Sequence, residues 1–294
     1  MMQTYRLRNR AFRACAACCV LVAALCLLMT RPAYGERLWP AMDIAPDEVA
    51  GLVDTGELSR EGLALYRATQ EGGRKERIRA TERFLSDVSA PEGLVRKIAF
   101  QQAALYEKSG QSAAAKRILE EWLAAHPDDA ETLELRTWLL DMLVYKGKQL
   151  DLSAQERLEQ AVRVMKPVCE EDAVTGLPAV RARLMYARGL RLLAGTVAAE
   201  WRVSPEARGL PVEARELRAN RIVHENALAA ERELLALRAI LEAMRAAEPE
   251  QEDPVNLASP RAEDPIANVL AGVEHELRQA AIAREAAAGQ IESL

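Results

Sequence analysis

Between residues 90 and 146 apolar positions recur at intervals of three and four with polar positions between them, the period of helices that each bury one stripe. The spacing predicts helices over about 90–108, 113–125 and 129–146. Upstream the same pattern marks short helices near Pro46 to Val53 and Leu58 to Gln70. After the break at Gly72-Gly73, a helix from about Lys75 to Val88 aligns Ile78, Thr81, Leu85 and Val88, with Phe84 beside them. Ser89-Ala90-Pro91-Glu92 and Ser153 with Glu156 read as capping boxes, and Asp128 with Glu131 as a looser one. In such a box the oxygen side chain and the carboxylate each satisfy an orphan amide at a helix start.

Downstream, a helix over 154–166 ends at Pro167, and regularity loosens through Cys169 to Gly176. A helix from Pro178 to Ala194 carries Val180, Leu184, Ala187 and Leu190 on one face. A connection holding Trp201, Ser204-Pro205 and Gly209 leads to the longest element, Pro211 to about Ala247. At 1.5 Å per residue it is about 55 Å long. Its seam, Val223, Ala227, Ala230, Leu234, Leu237, Leu241 and Met244, steps alternately by four and three, as a coiled coil does, and Leu235 and Ile240 widen it. An acidic, proline-rich linker follows from Glu248 to Asp264. A last helix from Pro265 offers Ile266, Leu270, Val273 and Leu277 as a stripe to pack on the seam or on the preceding helices. Nothing alternates with period two for long, so the fold class is all-α.

Within 96–129, Ala103, Tyr106, Gly110, Ala115, Leu119 and Pro127 fall at the offsets of a tetratricopeptide repeat, which pairs two helices in about 34 residues. The stretch resembles that family, with Ala99 and Gln102 at its tryptophan and leucine positions and Trp122 where a small residue is usual. The resemblance covers one such unit with degenerate neighbours. It implies a right-handed α-solenoid of antiparallel helix pairs, followed here by the long helix and the C-terminal helix. It also implies a partner groove lined by first-helix positions that correspond to Lys97, Phe100, Gln101 and Ala104. The lysine-asparagine pair with which some members clamp a carboxylate would fall at Phe100 and Ala104, so that mode is not expected.

The first 35 residues carry Arg6, Arg8, Arg10 and Arg13, an apolar run from Ala14 to Met29, and Ala33-Tyr34-Gly35. A basic region, an apolar region and a small-x-small site in that order predict a signal peptide cleaved after Gly35, in a periplasmic or otherwise exported protein. Arg31 could equally flank an uncleaved anchor, leaving the bulk outside the cytoplasm on the inner membrane. The organisation expected is 1–35 signal or anchor, 36–200 helical repeats, 201–247 long helix, 248–264 linker and 265–294 C-terminal helix.

Five of the 39 basic residues and none of the 44 acidic ones lie in residues 1–35, so the remainder carries 34 basic against 44 acidic, a net charge of −10. Nucleic acid is then a poor partner, because phosphate binding needs a basic face. Four of the five cysteines also lie there, so Cys169 has no intramolecular disulfide partner.

Candidate chemistry is sparse. His126, His224 and His275 form no two-ligand helical pattern, so no metal site or cofactor is expected. Glu170-Glu171-Asp172 and Asp128-Asp129 read as caps and solvated loops, and Cys169 as a lone half-buried thiol. No phosphate loop or nucleophile elbow is present. The sequence therefore reads as an interaction protein, not an enzyme: an exported scaffold for a protein or peptide partner. A membrane-anchored assembly subunit and a helical accessory to a peptidoglycan-acting enzyme stay open. A seam like that of 211–247 also pairs with a second copy, with Asn220, Glu231, Glu233 and Arg238 placed to select the partner, so a homo-oligomer stays open too.

Overall fold

A computed structural model describes residues 46–127, 131–170, 176–247 and 265–293, all within one compact unit, Trp39–Leu294. The expected signal segment, the Asp128 cap, Glu171-Asp172 and the linker lie outside the described residues. Among those described the chain is all-helical: α1 Pro46–Asp54, α2 Arg60–Gln70, α3 Arg74–Asp87, α4 Glu92–Lys108, α5 Ser112–Ala125, α6 Thr132–Tyr145, a single 3-10 turn Gly147–Gln149, α7 Ala154–Glu170, α8 Leu177–Val203, α9 Pro205–Arg208, α10 Val212–Ala247 and α11 Pro265–Ser293. Helices adjacent in sequence pack on each other from α1 to α8; α8 then packs on α10, and α10 on α11.

Three apolar cores follow one another along this path. Val49, Leu58, Tyr66, Phe84, Leu94 and Ile98 form the first, between α1 and α4. Phe100, Ala103, Ala115, Leu119, Trp122, Leu135, Trp138 and Met142 belong to the second, between α4 and α6. The third joins Leu140 and Leu143 of α6 to α7, α8, α10 and α11. Two helices are shared. Leu94 and Ile98 of α4 face the first core while Phe100 and Ala103 face the second, and α6 divides itself likewise between the second and third. A helix that buries two faces needs apolar residues around most of its girth, and the run Trp138-Leu139-Leu140-Asp141-Met142-Leu143 in α6 supplies them.

The α4–α5 hairpin turns at Gly110, whose φ of 78° suits glycine. The Gln111 amide donates to the Tyr106 carbonyl at 2.9 Å and the Gly110 amide to that of Glu107 at 3.0 Å. That pair of bonds is the Schellman closure of a helix end. Ala103 and Ala115 are fully buried where the two helices meet. Ala103→Leu or Ala115→Leu is therefore expected to overpack the crossing and cost about 1–3 kcal/mol, read as a lower denaturation midpoint. An unchanged midpoint for both would show that the helices do not cross there.

Several boundaries differ from the sequence reading. Ser89 does not cap α4: the N-cap is Pro91, with no side-chain cap bond. Pro91 biases Ala90 toward extended backbone, so the helix cannot open there. The Ser153 box forms as expected, with the Ser153 amide donating to Glu156 Oε2 at 2.8 Å and the Glu156 amide to Ser153 Oγ at 3.2 Å. Pro167 does not end α7, which continues to Glu170. Pro167 removes the ladder donor to the Arg163 carbonyl; one residue on, the Val164 carbonyl accepts from Arg136 Nη1 of α6 at 2.8 Å, which ties this turn to α6. Helix α8 runs past Ala194 to Val203, and Trp201 lies within it. The Trp201 Nε1–H donates to the Arg215 carbonyl at 3.3 Å and its ring lies 4.0 Å from the Arg218 guanidinium, which ties the end of α8 to the start of α10.

The expected seam of α10 is covered. Ala227, Ala230, Leu234, Leu237 and Leu241 are buried, with Ile266, Val269 and Val273 of α11 in the same core. His224 Nδ1 lies 3.4 Å from the Arg284 carbonyl, and Arg284 Nη1 pairs with Glu231 at 2.8 Å, so the end of α11 meets the first half of α10 and the two run antiparallel. Glu276 of α11 is buried between Arg188 and Arg191 of α8, at 3.6 and 2.8 Å. Asn220 and Glu233 are turned inward to Arg202 and Arg183. Arg238 pairs along its own helix with Glu242 at 3.3 Å. Of the four residues expected to select a partner helix, three thus bind other helices of this chain.

Candidate partner-binding site

The four positions expected to line a groove do not form an open surface. Phe100 is 1 % exposed, its ring edge-on to Trp122 with centroids 5.5 Å apart. Gln101 is buried: its Nε2 donates to the Thr69 carbonyl at 2.9 Å, and its Oε1 accepts from Gln70 Nε2 at 3.1 Å. Ala104 is buried in the second core and Lys97 is half-buried. The reason is the double duty of α4. A helix shared by two cores presents to its neighbours the positions that an open solenoid would present to a ligand. Gln101 acts as a bolt between α2 and α4.

Two of the three histidines pack against neighbouring groups and the third faces solvent. His126 stacks on Trp122 at 4.0 Å, and its Nε2 lies 3.3 Å from Glu92. His224 meets the Arg284 carbonyl, and His275 is exposed. Among the described residues no group of three His, Cys, Asp or Glu side chains is placed to hold a metal ion. Glu170 is exposed and lies 3.8 Å from Lys166.

Cys169 is half-buried beside the Arg183–Glu233 ion pair. Burial, and after it the Glu233 carboxylate, push its thiol up to about 12. The folded state thus holds the thiol protonated, the unreactive form. Its contribution to stability is full below the ordinary thiol value of about 9 and is lost as pH climbs from there through about 12. Alkylation of Cys169 by iodoacetamide at pH 8 is expected to be slow in the folded protein and fast in urea; equal rates would show the thiol to be open.

One groove with an apolar floor does face outward. Helices α7 and α10 both pack on α8, and between them lies a groove of about 410 Å³ lined by Gln155, Leu158, Glu159 and Val162 of α7 and by Ile222, Glu225 and Asn226 of α10. Leu158 forms the buried floor with Ile222 partly buried beside it, while Val162 is 41 % exposed. The stripe of α7 that meets the core is Leu158, Ala161, Met165 and Val168. Val162 sits one position off that stripe, which is the sequence signal that could have marked the groove. The rim carries two carboxylates that make no ion pair among the described residues: Glu159 accepts from Gln155 at 2.7 Å, and Glu225 is exposed. Arg163 and Arg221 lie one turn away on the same helices, exposed and without ion pairs among the described residues.

No family model, curated protein or solved structure matches this chain. No helix of the described residues is long and apolar enough to cross a membrane.

Proposed function

We infer that this chain is an exported scaffold of the cell envelope, not an enzyme, which holds a protein or peptide partner on a surface made by stacked helix pairs. The observation that carries the reading is the α7–α10 groove, an outward slot with Leu158, Val162 and Ile222 at its floor and a carboxylate on each wall. Partner surfaces combine this kind of apolar centre with a polar rim. The arrangement inferred is a right-handed solenoid of antiparallel pairs, α2–α3, α4–α5 and α6–α7, extended by α8, α10 and α11. It is supported by packing between chain neighbours and by the sharing of α4 and α6 between successive cores. Support for a tetratricopeptide-like unit comes from the Gly110 turn and the burial of Ala103, Ala115 and Leu119. Export rests on the order of segments in residues 1–35.

A photo-crosslinking side chain at Val162 tests this in the cell, with one at exposed Arg79 of α3 as the control. A discrete adduct specific to position 162, on protein whose intact mass begins at Glu36, is the expected result. Indistinguishable adducts at the two positions would remove the groove from consideration, and a mass retaining residues 1–35 in the membrane fraction would make the chain an anchored subunit instead.

A further inference from the structure

We propose that the occupant of the α7–α10 groove is a basic-apolar peptide segment, one with an aliphatic side chain flanked by lysine or arginine; this rests on the reading of the groove as a partner site. The floor sets the first requirement. Leu158, Val162 and Ile222 offer hydrocarbon and no donor, and Asn226 at the edge donates one N–H to the Ile222 carbonyl at 2.9 Å. An aliphatic side chain placed there removes Val162 from water without burying an unmet polar group.

The walls set the second. Glu159 stands on α7 and Glu225 on α10, so each side of the slot carries a carboxylate, and none of the seven lining residues is cationic. Elsewhere in this third of the chain interhelical carboxylates are matched: Glu233 by Arg183, Glu276 by Arg188 and Arg191, Glu216 by Arg202 and Glu231 by Arg284. Those carboxylates are buried or partly buried, whereas Glu159 and Glu225 are exposed on the two walls, with Arg163 and Arg221 one turn outside the lining, and so stay open to a partner. Within the slot an acidic segment would face a carboxylate on each side, whereas a cationic one pairs with both, and charge complementarity of this kind selects partners and speeds encounter.

Random peptides displayed on phage and selected on the purified protein test the proposal. Recovered sequences are expected to set Lys or Arg next to Leu, Ile or Val. A synthetic peptide of the leading sequence, followed by fluorescence anisotropy, should weaken about tenfold against the double variant Glu159→Gln/Glu225→Gln and with rising salt. It should not bind Val162→Asp, a change at an exposed position that leaves the fold intact by circular dichroism. Neutral or acidic peptides that need Val162 but ignore the double variant would overturn the proposed chemistry while leaving the groove as a site. Recovery of no peptide, or of peptides indifferent to Val162→Asp, would overturn both. A dimer that Val162→Asp dissociates would place a second copy in the groove and overturn the basic-peptide assignment.

Discussion

Trp138→Ala is expected to destabilise the protein by about 3–5 kcal/mol, among the largest effects of any single substitution in this chain. The indole is 2 % exposed at the centre of the second core. Its truncation leaves a cavity in the core that it shares with Phe100, Leu119 and Met142. A polar loss is added. The Trp138 Nε1–H donates to Glu107 Oε2 at 2.9 Å, and Glu107 is itself buried, with Lys146 Nζ 3.7 Å from its other oxygen. Removing the indole strips a buried carboxylate of its best donor. Trp138→Phe keeps most of the hydrocarbon and loses only the donor, so it should cost about 1–3 kcal/mol. Urea denaturation of the two variants separates the contributions; equal midpoints would mean that the ring volume is irrelevant.

The second large effect is expected on removing residues 248–294. The truncation uncovers the seam of α10, and each of Leu234, Leu237 and Leu241 loses about 1.5–3 kcal/mol of burial to the extent that α11 covers it. Arg188 and Arg191 lose Glu276, and Glu231 loses Arg284. The sum is comparable with the whole stability of an ordinary domain, about 5–15 kcal/mol. The truncated chain should denature at much lower urea, or hide its seam by associating, which light scattering after size exclusion reads directly. A monomer of unchanged midpoint would show that α11 contributes nothing to this core.

What was legible in the sequence was periodic and local. The seam of α10 and the stripe of α11 announced that they must be covered, since a helix with that many leucines on one side cannot leave them in water. Gly110 and the Ser153 box were readable for the same reason, each depending on residues within one or two turns. Pro167 and Ser89 misled because the local rule met a wider context: α7 continues to Glu170 in a turn that Arg136 ties to α6 at the Val164 carbonyl, and Pro91 dictates where α4 opens. The site was harder. Phe100, Gln101 and Ala104 lie on one helix, yet their burial depends on α2, α5 and α6 together. Glu159 and Glu225 are far apart in the chain and become opposite walls only because α8 separates the helices that carry them, a register that no local pattern encodes.

The sharing of α4 and α6 between successive cores has a kinetic consequence. The first two apolar cores can form from segments adjacent in the chain, so little loop entropy must be surrendered before their contacts begin to reward it, and they should form ahead of the third, which joins α6 to α11. The same geometry grades the opening of the native state. Helices α1 to α3 hang on the rest chiefly through one face of α4, and their amides should exchange with solvent in sub-global openings while those of α6 and α8, gripped on several sides, exchange only when the whole molecule unfolds.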